Sequence, residues 1–205
     1  MHFTESPSSL LAAHPLMEGR RLHLYDRGEA IPLDPEGIWQ VYRGIAQLNQ
    51  ISELGETVLL GWVMPSNFFG PWLSNNDTCH AKALSEVYLR WYPLKELESS
   101  PQLAQGVLSQ VVKRLHQAEA LLAIAGLRKV EDRFISLLKL LQIEMGQPVE
   151  AGTRLCVRMT HQEFANVIST TRVTITRLFG EWQRQNKISF DGDRHLVIHP
   201  HWLDS

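Results

Sequence analysis

The chain has 205 residues, 44% of them hydrophobic and 20% charged, with a formal net charge of −2; it can build one large or two small cores and is too apolar for disorder. No apolar run approaches the roughly 18 residues of a membrane span, and the N-terminal stretch lacks the basic start and long apolar block of a secretory signal. Its two cysteines, Cys79 and Cys156, form no CxxC pair, which excludes zinc ribbons and cysteine-ligated clusters and suits the cytoplasm.

Residues 1–20 read as a lead-in with a short helix over 9–13. From Arg21 the pattern turns to strands. Arg21 to Tyr25 precedes the turn Asp26-Arg27-Gly28-Glu29. Residues 38–51 alternate in places around Tyr42-Arg43-Gly44. Residues 57–63, TVLLGWV, and 81–92, rich in Val, Leu, Tyr and Trp, supply further strands. Short strands at this spacing predict an antiparallel β-roll or jelly roll.

A long helix follows, from Pro101 to about Ala125, with Gly126 as its stop. Leu108, Val111, Leu115, Ala118, Leu122 and Ala125 recur at alternating steps of three and four. That spacing makes a two-stranded coiled-coil seam; it also fits a helix packed on its own roll, and different faces can do both. A second helix over 130–145 carries Phe134, Leu137, Leu138 and Leu141 on one face, and Gly146-Gln147-Pro148 ends it.

Residues 159–182, MTHQEFANVISTTRVTITRLFGEW, read as two helices joined by a tight corner. Thr160 caps the first, with Glu163 closing a capping box. Thr170 or Thr171 caps the second, whose apolar side is Ile175, Leu178, Phe179 and Trp182. Its opposite face carries Val173, Arg177 and Arg184, with Arg172 on the first turn. An ordinary helical hairpin with a solvated face fits the same periodicity. Val173 favours a DNA reader, because an exposed valine among arginines suits a thymine methyl, and arginine's planar fork matches guanine O6 and N7. Two short strands follow, Ile188 to Phe190 and His195 to Ile198, around Asp191-Gly192-Asp193. Helix, turn, helix and hairpin make a winged helix-turn-helix. Charge agrees: residues 1–153 carry 13 Lys and Arg against 17 Asp and Glu, and residues 154–205 carry 7 against 5.

Residues 159–198 resemble the DNA-binding domain of the Crp/Fnr superfamily of bacterial transcription regulators. STTRVTITRL is similar to the nitrogen-control (NtcA-like) branch, although Ser169 stands where the family often has glycine. More weakly, the resemblance covers the whole chain. It implies an α+β architecture: a β-roll like those of cyclic-nucleotide-binding domains over 1–100, a dimerisation helix over 101–126, and a winged helix-turn-helix over 127–205. It implies a homodimer on double-stranded palindromic DNA, with RNA polymerase as a further partner. Arg172, Val173 and Arg177 would read bases, while Thr160, His161, Thr171 and Thr174 would touch phosphates. A module that binds ligand or protein but no longer reads DNA is the alternative.

For the effector, the resemblance points to Phe69, Gly70 and Trp72 on the roll and Arg114 and Glu119 on the long helix. Pro71 occupies the place of the glutamate that holds a cyclic nucleotide's ribose, and Cys79 to Ala83 holds no Arg-Ser pair for its phosphate. Cyclic AMP is therefore not expected. Arg114 and Glu119 match the spacing of two 2-oxoglutarate contacts in the nitrogen-control relatives, and equally that of an ion pair. Asp77 stands where a third, positive contact should be, so reduced or absent 2-oxoglutarate binding is expected. Cys79-His80 reads as a loop rather than a haem ligand, and His195, His199 and His201 as surface residues rather than a metal site. No cofactor or metal is expected, and no Ser/His/Asp grouping, paired-carboxylate signature or glycine-rich phosphate loop argues for an enzyme.

Overall fold

β-branched and aromatic residues broken by turn glycines build the N-terminal half. The computed structural model describes residues 21–53, 55–73, 79–200 and 202–203; the helix expected at 9–13, Asp77 and His201 lie outside them. The strands are β1 (His23–Tyr25), β2 (Ala30–Ile31), β3 (Gly37–Arg43), β4 (Ala46–Ile51), β5 (Thr57–Val63), β6 (Phe68–Phe69), β7 (Cys79–Ala83) and β8 (Val87–Pro93). One sheet runs β1-β8-β3-β6 and the facing one β2-β7-β4-β5, with antiparallel neighbours throughout. This is the expected β-roll. Gly44 turns β3 into β4 at φ 86°, where a Cβ would meet the Glu86 carbonyl oxygen at 2.1 Å.

The roll interior is apolar: Trp39, Val41, Leu48, Phe69, Val87 and Leu89 are all buried. The outer face of β3 is covered too. Ile38 packs with Phe68, Tyr92, Leu97, Leu103 and Val107, which brings in α1 (Leu94–Ser99) and α2 (Pro101–Gly126). Coverage on both faces explains why the first five residues of β3 form one buried run rather than alternating. Gln40 survives in that layer because its side-chain oxygen accepts from the Tyr92 hydroxyl at 3.2 Å.

Helix α2 starts where Ser100 accepts from the Leu103 amide, with Pro101 in the first turn. It has two working faces. Leu103, Val107, Gln117 and Ile124 are buried against the rest of the chain. Leu108, Val111, Leu115 and Leu122 stay exposed, Leu115 by 55% and Leu122 by 75%. The seam residues therefore do not pack on their own roll.

The C-terminal half comprises α3 (Val130–Met145), β9 (Gly146–Val149), β10 (Gly152–Leu155), α4 (His161–Val167), α5 (Arg172–Arg184), β11 (Ile188–Phe190) and β12 (Leu196–Ile198). The β9–β10 hairpin was not expected from the sequence. It pairs with the predicted wing in a sheet ordered β11-β12-β10-β9. Phe134 on α3 is enclosed by Phe164, Phe179 and Trp182, stacked on the last at 5.0 Å. The same core continues through Ile124 of α2 into Ile45, Trp62 and Leu84 of the roll. Arg27 adds a polar tie, donating to the Arg158 carbonyl at 2.7 Å. Among the described residues, no helix is long and apolar enough to cross a membrane.

Candidate DNA-reading surface and effector region

The expected capping box at α4 is present: Thr160 accepts from the Glu163 amide at 3.1 Å, and Glu163 accepts from the Thr160 amide at 2.7 Å. Ser169 makes the corner at φ 50°, in the left-handed region that glycine adopts freely. Thr171 then caps α5, accepting from the Thr174 amide at 3.2 Å. Arg133 of α3 braces this corner. Its Nε donates to the Ile168 carbonyl at 2.9 Å and its Nη1 to the Leu127 carbonyl at 3.0 Å, so one guanidinium joins the corner to the link between α2 and α3.

Helix α5 is sharply two-sided. Ile175, Leu178, Phe179 and Trp182 are buried, whereas Val173 is 78% exposed beside exposed Arg172 and Arg177. Arg177 leans toward Glu181 at 3.6 Å, an exposed pair weak enough to surrender to a base. The Thr160 and Thr171 hydroxyls cap α4 and α5, and the Thr174 hydroxyl shares a 3.0 Å hydrogen bond with that of Thr171. His161 spans the two helices: its Nδ1 shares a hydrogen bond with Thr176 at 2.8 Å, and Thr176 donates to the Arg172 carbonyl at 2.9 Å. Burial, then the nearby Arg172 charge, holds the His161 pKa below its ordinary value.

The wing is pinned from behind. Arg154 on β10 donates to Asp191 at 2.5 Å and shares a 2.6 Å hydrogen bond with His195 Nδ1. Asp191 also accepts from the amides of Asp193 and His195 at 2.9 and 2.8 Å. The Arg154 hydrogen bond leads in lowering the Asp191 pKa from 3.8 to about 2. Asp191, Asp193 and His195 have metal-ligand spacing, but a guanidinium already lies among them. The expectation of surface histidines needs correcting here. His195 is largely covered because Arg154 and Asp191 hold it, and His199 bonds Ser189 at 2.8 Å.

The five effector candidates do not gather in one pocket of the single chain. Phe69 is roll core, and Gly70 is buried against Gly37 and Ile38. Trp72 is exposed, in an apolar cleft of about 500 Å³ with Leu97, Val107, Leu108 and Val111. Glu119 is exposed on α2, whereas Arg114 is half-buried over β5. Five residues apart on a helix, the two face differently and do not pair along it. Arg114 donates to Gln117 at 3.1 Å, and burial lowers its pKa. A Cβ at Gly61, φ 141°, would lie 2.1 Å from Arg114 Nη1. The sequence reading missed Gln117, Arg133 and Arg154. Gln117 had a signal: it lies one heptad before Ile124, on the buried face of α2.

Residues 132–203 match the model of the Crp-like helix-turn-helix domain family. The regulatory protein CysR of Synechococcus elongatus is 31% identical over 190 residues, covering 91% of this chain and 84% of that protein. The global nitrogen regulator of Synechocystis is 29% identical over 189 residues, covering 86% and 84%. A solved CRP-family transcriptional regulator from Thermus thermophilus superposes with a TM-score of 0.73 at 16% identity, covering 86% of this chain and 91% of that one.

The wing pin makes a pH-dependent contribution to stability. Asp191 has a depressed folded pKa, so its stabilisation is fully present above the unfolded value of 3.8 and is lost as pH falls through about 2. Thermal unfolding of native protein and Asp191→Asn should therefore differ by a constant gap just above pH 4, and the gap should close between pH 4 and pH 2. A gap unchanged down to pH 2 would show that the Arg154 pairing does not stabilise the wing.

Proposed function

Since the chain belongs to the Crp/Fnr family of transcription regulators, we propose that it works as a homodimer reading an interrupted DNA palindrome. The observation that carries this reading is the division of α5, with a fully buried apolar face and an exposed face bearing Arg172, Val173 and Arg177. Such a helix enters the major groove, and two related by a dimer axis meet half-sites roughly 34 Å apart. Arg172 and Arg177 read guanines. Val173 offers a methyl contact and cannot accept from cytosine N4 as a glutamate would, so the half-site is of GTA type, as in the nitrogen-control branch. Thr160, His161, Thr171 and Thr174 set the register on phosphates. RNA polymerase is the further protein partner of this reading, and the cytoplasm its setting.

Dimerisation falls to the exposed seam of α2. A second copy would bury Leu108, Val111, Leu115 and Leu122, which one chain leaves in water. The effector region is centred on Arg114, which suits an anionic molecule. Cyclic AMP lacks both its charged partners, and the sequence resemblance puts Asp77 in the place of a positive contact for 2-oxoglutarate.

Binding-site selection should return a palindrome. Arg177→Ala should cost about 1–3 kcal/mol and relax one base position, whereas His161→Ala should weaken all sequences alike. A selection without a palindrome, or an Arg177→Ala protein with unchanged base preference, would favour a module that no longer reads DNA. Leu115→Glu, which buries a charge in the seam, should weaken the dimer by at least about 3 kcal/mol. Sedimentation of that variant as an unchanged dimer would remove the seam. Calorimetry with cyclic AMP should show no micromolar binding, and a clear isotherm would overturn the reading of the roll.

A further inference from the structure

Where the roll, the long helix and the DNA-reading domain meet lies one buried amide. Gln117 is 4% exposed. Its side-chain oxygen accepts from the Trp62 backbone amide of β5 at 2.8 Å and from Arg114 Nη1 at 3.1 Å. Its side-chain nitrogen donates to Glu144 Oε2, on α3, at 2.9 Å. The orientation of the amide follows from its neighbours, since two donors require the oxygen on one side and a carboxylate requires the nitrogen on the other. Each polar end thus has a partner on a different element, and the amide cannot turn without losing them.

We propose that Gln117 is a positioning residue that couples Arg114, and whatever binds it, to the DNA-reading domain through Glu144. Displacing the guanidinium removes one of two donors from the Gln117 oxygen and frees the amide to shift. Glu144 moves with it, at the last turn of the helix that carries Phe134. In the present arrangement the reading face of α5 is exposed. The coupling rests on the proposed DNA-reading function for one of its two readouts only.

An isosteric exchange tests it. Gln117→Glu still accepts from Trp62 and Arg114 but offers Glu144 a second carboxylate. Glu144→Gln alone keeps the bond, because the new amide oxygen accepts from Gln117. The double exchange keeps the Trp62 and Arg114 bonds and restores the bond between positions 117 and 144 with its donor and acceptor reversed. Operator Kd and backbone amide exchange along α3 are measured for each protein. We expect Gln117→Glu to weaken operator binding at least ~tenfold and to speed exchange at the C-terminal end of α3. Glu144→Gln and the double variant should stay within about threefold of native. A Gln117→Glu protein with native Kd and native α3 exchange, or a double variant no better than Gln117→Glu, would overturn the coupling. If Gln117→Glu does not fold, Gln117→Met replaces it, and its native behaviour in both measurements would be equally fatal. If the native chain selects no operator, the DNA-reading proposal fails, and α3 exchange alone decides the coupling.

Discussion

The orientation of the recognition helix depends on a single aromatic contact set. Phe134 reaches out of α3 into a ring of Phe164 from α4 and Phe179 and Trp182 from α5. Edge-to-face and stacked rings at these separations hold angle as well as distance, because the ring quadrupoles penalise rotation. Helix α3 is also the segment joined to α2 through residues 127–129. The exposed side chains of α5 are therefore placed by a residue belonging to neither helix of the motif. Arg133, one position away, adds directionality to what apolar packing leaves loose, by gripping the corner carbonyl of Ile168 and the link carbonyl of Leu127.

The roll and the C-terminal half share an apolar core and polar bridges, and these do different work. Trp62, Ile45 and Leu84 of the roll meet Ile124 and the α3 residues in continuous packing, which favours contact without specifying a position along it. The Gln117 amide has only one satisfactory arrangement of its three partners. Apolar area keeps the halves together, and the amide gives the contact a register. A joint of that kind suits switching, since a change at one hydrogen bond can move the equilibrium while most of the packing is retained.

How legible this was in the sequence differs by element. Long, strongly periodic segments were readable: the apolar stripe of α3, the capping box at Thr160 and the two faces of α5 are local signals that survive into the fold. Strands β2 and β6, two residues each, were not, because pairing with β7 and β3 makes them strands rather than their own composition. The β9–β10 hairpin was hidden for the same reason. Gln147-Pro148-Val149 shows no alternation, and its partner β10 is anchored by Thr153 opposite Ile198, far along the chain. Among the site residues, Arg172, Val173 and Arg177 could be placed on a face from periodicity alone. Arg114 could be placed on its helix, but its partners Gly61, Gln117 and Glu144 come from three elements. Arg154 gave no sign that it would cover His195, since that contact spans 41 positions.

Gly61 has a consequence beyond this molecule. Within a strand a glycine ordinarily weakens the ladder, and β-branched residues serve better. Here a methyl at that point would lie 2.1 Å from the Arg114 guanidinium and 2.2 Å from the Gln117 oxygen and would displace them, and the backbone sits at φ 141°, where a side chain is strained. The requirement therefore comes from the helix and from the strand's own backbone together. A related chain whose helix no longer laid an arginine and an amide across the roll would be released from the first of these only. A larger residue at this position in a related chain thus marks, from sequence alone, a roll and helix joined in some other manner.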